Sequence, residues 1–111
     1  MRQGRILYKG ILAGILTETN DGEYVFQYDA EYADEHPNDF ITFTMPVSSE
    51  AYTDKRLFPF FEGLIPEGWL LEIASKSWKI NKNDRMGLLL ACCQHCIGAV
   101  SVEPIHGEDG A

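Results

Sequence analysis

Cys93-Gln94-His95-Cys96 sets two thiols at CxxC spacing with an imidazole between them. On a helix such thiols share a face, and thiolates with imidazole are zinc ligands or, at the start of a helix after a strand, a redox pair. A zinc site takes about four ligands. There is no second CxxC, His36 and His106 lie far off in sequence, and the motif closes a helical pattern instead of opening one. Cys92, Cys93 and Cys96 therefore read as small buried hydrophobes. Three crowded cysteines make no disulfide framework and fit a reducing compartment. Glu62, Glu67 and Glu72 offer carboxylates for acid–base work, but only burial would tune them, and at this spacing they read as exposed. His36, His95 and His106 form no spaced cluster. Phosphate-cradling GxxxxGK[ST] and GxGxxG patterns are missing, as are an HRD with a downstream Asn and a DFG, so phosphoryl transfer lacks its metal-binding acids and its cradle. The expectation is no catalytic residue, no metal, no cofactor and no enzyme.

Binding chemistry is better represented. Residues 58–72, Phe-Pro-Phe-Phe-Glu-Gly-Leu-Ile-Pro-Glu-Gly-Trp-Leu-Leu-Glu, gather three Phe, two Pro, two Gly and a Trp at a joint between two elements. Trp78 borders an apolar stripe and reads as core. Trp69 follows Gly68 beside that stripe, where it is either a lid on the core or an exposed anchor, and Trp is the residue type most enriched in binding hot spots.

The elements that position these residues follow from pattern. Arg5–Lys9 and Leu12–Thr17 read as a hairpin, or as one strand bent at Gly10 and Gly14. Asn20-Asp21-Gly22 is a turn, and Tyr24–Tyr28 alternates as a half-buried strand. Residues 29–38 form a polar loop with room for one helical turn, and Phe40–Thr44 reads as a further strand ended by Met45-Pro46. Thr53 or Asp54 is a candidate cap for a short helix reaching Phe61. Pro66 suits the first turn of a helix to about Ile80, with Leu70, Ile73, Ala74 and Ser77 as its buried stripe. Asp84 caps a helix through about Cys93, and Ala99–Val102 is a last strand stopped by Glu103-Pro104. The expected fold is α+β: a small antiparallel sheet of about four to five strands followed by about three helices and a final strand.

With 111 residues the chain holds one domain, over residues 1–104, with a disordered tail at 105–111. Nine basic residues against 17 acids give a net charge of −8. From Gly10 to Asp54 there is no Lys or Arg, while Glu18, Asp21, Glu23, Asp29, Glu31, Asp34, Glu35, Asp39, Glu50 and Asp54 all fall in that stretch. Such a face repels nucleic-acid phosphates and either serves solubility or meets a basic protein surface. The small basic cluster Lys76, Lys79, Lys82 and Arg85 is read as complementing a helix C-terminus. No run approaches the ~18 apolar residues of a membrane span and no cleavable leader is visible. The expected setting is the cytoplasm, away from membrane.

Phe60-Phe61-Glu62-Gly63-Leu64-Ile65-Pro66-Glu67-Gly68-Trp69-Leu70 resembles the FFxxLLPEGW stretch of HipA N-terminal subdomains. Met45-Pro46 is similar to the family's Leu-Pro after a strand. Asp84–Leu90 with Gly98-Ala99-Val100 resembles its last helix and Gly-Ala-Val strand. Cys93-Gln94-His95 departs from the usual Gly-x-Asp turn. The likeness runs over roughly residues 4 to 104. In full-length HipA proteins this subdomain is fused to a Ser/Thr kinase and helps engage HipB, a helix-turn-helix protein. The length of this chain is similar to that of the HipS-type antitoxins of HipBST toxin–antitoxin modules, whose HipT kinase lacks the subdomain. The resemblance implies an antitoxin that binds and neutralises a HipA-like (HipT-type) kinase. Its alternative is a non-inhibitory structural subunit that completes such a kinase and links it to a HipB-type protein. Pro66, Glu67, Gly68, Trp69 and Glu72 are the expected kinase-facing residues.

Overall fold

The chain begins as a hairpin because Lys9 and Gly10 both adopt positive φ, 53° and 82°. That pair makes the tight turn whose twist matches two flanking strands, here β1 (Arg2–Tyr8) and β2 (Ile11–Glu18), paired from Tyr8↔Ile11 to Arg2↔Glu18. The computed structural model describes residues 1–65, 68–92 and 99–105, the side chains at 69, 70, 74 and 92 excepted. A turn at residues 19–23, with Gly22 at φ 83°, leads into β3 (Tyr24–Tyr28). Then come α1 (Ala30–Glu35), β4 (Tyr52–Asp54), α2 (Pro59–Glu62), α3 (Gly68–Trp78), α4 (Arg85–Cys92) and β5 (Val100–Ile105). The sheet is antiparallel throughout, in the order β4-β3-β2-β1-β5. Five antiparallel strands with helices give the expected α+β architecture.

Several details differ from the sequence expectation. Residues 40–44 are not a strand: Thr42 and Met45 form an isolated bridge across a turn closed by Met45 N–H to Thr42 C=O, 3.0 Å. Their ladder groups are taken by side chains, since the Tyr28 hydroxyl accepts from Ile41 N–H and donates to the Met45 carbonyl. Thr53 and Asp54 do not cap a helix. They lie in β4, which fills the free side of β3 with Phe26↔Tyr52, and the short helix α2 starts after Phe58 with Pro59 in its first turn. Residues 29–38 contain a true helix, α1, because the Asp29 side chain accepts from Tyr32 N–H as an N-cap. β5 continues through Pro104, which a sheet edge tolerates. The tail from His106 lies outside the described residues.

One face of the sheet makes the core. Ile6, Leu16, Phe26 and Val102 meet Phe61 of α2 and Met86, Leu88 and Leu89 of α4, all fully buried. Phe61 is the hub. Its ring lies 5.8 Å from Phe26, 6.1 Å from Phe58 and 5.3 Å from Phe60, in tilted or edge-on contacts.

A charged chain fastens α4 to the sheet. Arg2 of β1 gives Nε–H to Glu18 of β2 at 2.7 Å and both terminal nitrogens to Asp84 at 2.7 and 3.0 Å. Asp84 in turn caps α4 by accepting from Gly87 N–H at 3.2 Å. A Cβ at Gly87 would fall 2.3 Å from Asp84 Oδ2, so a larger residue there would push the capping carboxylate aside. Its bond with Arg2 holds the Asp84 carboxyl below its ordinary 3.8, against the opposing pull of desolvation.

Two outcomes are expected. Phe61→Ala loses about 3–5 kcal/mol in chemical denaturation, a large share of the roughly 5–15 kcal/mol a domain of this kind holds. A carboxyl with a lowered native pKa supports the fold above about pH 4 and loses that support as pH falls further. Asp84→Asn keeps the cap, costs about 1 kcal/mol or less at pH 7 because the pair is screened, and flattens the loss of stability as pH falls below about 4.

Candidate partner-binding surface

The joint between α2 and α3 holds most of the residues that the sequence marks for binding. α2 has only four residues, too few to persist alone, so the burial of Phe61 fixes where the chain leaves it. Leu64 and Ile65 continue the packing, Ile65 being fully enclosed. Pro66 and Glu67 lie outside the described residues. Gly68 and Trp69 open α3, and the side chain of Trp69 lies outside the described set.

α3 ends in a Schellman arrangement, with Ile80 N–H reaching Ser75 C=O at 3.0 Å and Lys79 N–H reaching Lys76 C=O at 3.3 Å. Lys79 takes the left-handed position at φ 56° that glycine usually fills. The Ser75 hydroxyl adds a bond to Ile80 C=O at 2.6 Å.

The buried stripe expected for α3 is corrected here. Ile73 is 50% exposed, Trp78 is 57% exposed and Ser77 is exposed, while Leu70 and Ala74 lie outside the described side chains. Leu71 and Ser75, one turn apart, are half-buried instead, and Leu71 packs against the core. Apolar residues fall on both sides of this helix, so periodicity fits two orientations. α3 packs against α4, and the pattern of its own residues does not choose between them. The result is a helix that presents apolar groups to solvent. Position 69 precedes Glu72, Ile73 and Lys76 by three, four and seven residues, which is one face of a helical backbone, and all three of those side chains are exposed.

Charge pairs brace the surface. Glu72 accepts from Lys82 Nζ, and that bond lowers its pKa. Glu62 of α2 takes a fork from Arg85, with Nη2 at 2.9 Å and Nε at 3.1 Å. Arg85 therefore does not serve a helix C-terminus. It is the first residue of α4, and its charge is used to tie α4 to α2. Of the expected kinase-facing residues, Glu72 is the one whose side chain the structure places, on the exposed face. The exposed Ile73 and Trp78 were missed, and the sequence carries no signal that separates them from core residues.

The other candidates for chemistry do not converge. His36 Nδ1 stands 3.3 Å from Asp39 Oδ2, over the Tyr32 ring. Cys92 ends α4, and Cys93, His95, Cys96 and His106 lie outside the described residues. Among the described residues no group of His, Cys, Asp or Glu is arranged to hold a metal, and no helix is long and apolar enough to cross a membrane.

Comparison with known proteins places this geometry. A family model described as HipA N-terminal domain matches residues 4–103. An uncharacterized protein of Haemophilus influenzae is 27% identical over 103 residues, spanning 93% of this chain and 92% of that protein. Among solved structures, the N-terminal domain of HipA toxin superposes with a TM-score of 0.74 at 23% identity, over 97% of this chain and 96% of that one. At that identity the likeness speaks for the fold.

If the α3 face is free for a partner, shortening it costs the fold little. Ile73→Ala and Trp78→Ala each change unfolding free energy by less than about 1 kcal/mol. Leu88→Ala, in the enclosed core, loses about 2–5 kcal/mol in the same denaturation experiment.

Proposed function

The chain belongs to the HipA N-terminal domain family, and on that premise we propose that it is an antitoxin that binds a separately encoded HipA-like kinase and suppresses it, without catalysis of its own. The observation that carries this reading is the exposure of two large apolar side chains on α3, Ile73 on the helix face of position 69 and Trp78 at the C-terminal end. Large apolar groups left in solvent gain by being covered, so they are where a partner would add most. The Haemophilus relative, nearly filled by the matched region, supports reading the domain as a small separate protein.

In the proposed complex Trp69 is the anchor. It shares its helix face with Glu72 and Ile73, so one docking event engages all three. Pro66, Glu67 and Gly68 form the edge that leads the ring into a kinase cleft, where it opposes closure around ATP or substrate. A buried Trp of this kind supplies a large fraction of an interface's affinity, because a few central aromatic anchors carry most binding energy. Glu72 pairs with Lys82 at the rim, a solvent-exposed contact that a partner can exchange at little cost. A HipB-type helix-turn-helix protein is a further proposed partner, reached through the kinase or through the acidic surface of residues 18–54.

The test is co-expression with the HipA-like kinase of the same genome, scoring growth, phosphorylation and co-purification. Rescue of growth with a stable complex is the expected result. Trp69→Ala is expected to weaken the complex by about tenfold or more and to abolish rescue. A stable complex with undiminished toxicity makes the chain a structural subunit, and failure to form a complex overturns the kinase-partner reading altogether.

A further inference from the structure

The segment 39–46 is irregular, yet side chains from three different elements hold it. The Tyr32 hydroxyl of α1 donates to Asp39 C=O. The Tyr28 hydroxyl of β3 accepts from Ile41 N–H at 3.1 Å and donates to Met45 C=O. The Tyr52 hydroxyl of β4 donates to Pro46 C=O at 2.6 Å. Tyr28 thus ties both ends of one tight turn, with Ile41 and Met45 buried beneath it. Burial pushes the Tyr28 hydroxyl up to about 12, so its donor bond persists well into alkaline pH. At the tip of this turn, between Thr42 and Thr44, stands Phe43, 79% exposed, and Phe40 before it is exposed as well.

An isolated exposed Phe needs no explanation. This one is different, because the backbone under it is fixed by four hydrogen bonds that do nothing for the ring itself. Beside the turn runs an open apolar cleft of about 260 Å³ between Thr44 and Met45, Tyr52 and Thr53 of β4, and Phe58 to Phe60 at the start of α2. The cleft connects the turn to the element that leads into α3. On the α1 side of the turn the charged groups are acids. Glu31, Asp34 and Glu35 of α1 are exposed and make no ion pair among the described residues, Asp39 is exposed, and no Lys or Arg occurs from residue 10 to residue 54. Lys55 and Arg56 follow only after the C-terminal end of β4.

We infer that the Phe40–Thr44 turn is a second docking element, in which Phe43 enters an apolar recess in a basic surface of the partner kinase while the acids of α1 face the basic rim. A fixed aromatic tip loses little conformational entropy on binding. The acids steer the encounter and set its salt dependence, while the ring governs the lifetime of the complex. This inference rests on the kinase-binding reading above, and extends it from one anchor at α3 to two anchors on separate supports.

The test is titration of the purified HipA-like kinase with the wild-type chain, Phe43→Ala, Trp69→Ala, and the triple variant Glu31→Gln, Asp34→Asn, Glu35→Gln, each at several salt concentrations. Phe43→Ala is expected to leave thermal unfolding unchanged and to weaken binding by about tenfold, mainly through faster dissociation. The triple variant is expected to slow association at low salt and to flatten the dependence of affinity on salt. Wild-type binding that Phe43→Ala leaves intact overturns the second docking element and spares the kinase-binding reading. A salt dependence that the triple variant leaves unchanged overturns the basic rim. Failure of the wild-type chain to bind overturns the function, and this inference with it.

Discussion

The burial of Phe61 is the constraint on which the rest of this domain depends. A five-stranded sheet covered on one face has a single core, and here α2 has only four residues with which to help close it. No such helix persists by its own hydrogen bonds. It exists because Phe61 is fully enclosed against Phe26 and flanked by the rings of Phe58 and Phe60. That one side chain fixes the direction in which the chain leaves the sheet, hence where α3 begins. The pair between Glu62 and Arg85 then ties the end of α2 to the start of α4, and Arg2 ties α4 to β1 and β2 through Asp84 and Glu18. The surface proposed for binding is positioned by the core beneath it and owes little to its own packing.

Local chemistry was legible in the sequence, and partner-dependent structure was not. The turn at Asn20-Asp21-Gly22, the cap at Asp84 and the alternation of Tyr24–Tyr28 each rest on a few neighbouring residues, and each was read with the right type. Phe40–Thr44 has the alternation of a strand, yet it is a turn. What decides it is a hydroxyl from Tyr28, 13 residues from Ile41 and 17 from Met45, which satisfies the groups a strand would have paired. Pairing with β3 went instead to Tyr52–Asp54, a segment whose sequence suggested a helix cap. The same limit applies to α3. Leu70, Leu71, Ile73, Ala74 and Trp78 make two overlapping stripes, and only the position of α4 and the core selects the one through Leu71 and Ser75. The proposed binding surface was thus half visible: Glu72 and the position of Trp69 were marked, whereas Ile73 and Trp78 were assigned to the core they do not enter.

Shifted proton affinities usually point toward chemistry. In this domain they point toward closure of the fold. Asp84 is lowered by Arg2 while it also caps α4, and Tyr28 is raised by burial while both bonding directions of its hydroxyl are in use. Each of these groups is committed to a backbone or charge partner. The side chains left with capacity are of another kind. Among them are the rings and aliphatic groups of Phe43, Ile73 and Trp78, and the α1 acids that make no ion pair among the described residues. Where exposed apolar groups and unpaired surface charge lie together, apolar area sets how long a complex lasts and charge sets how fast it forms. The division of labour follows the chain. Arg2, Lys82 and Arg85 are spent on internal pairs, and the surplus of negative charge is left on the side that carries the tyrosine-pinned turn.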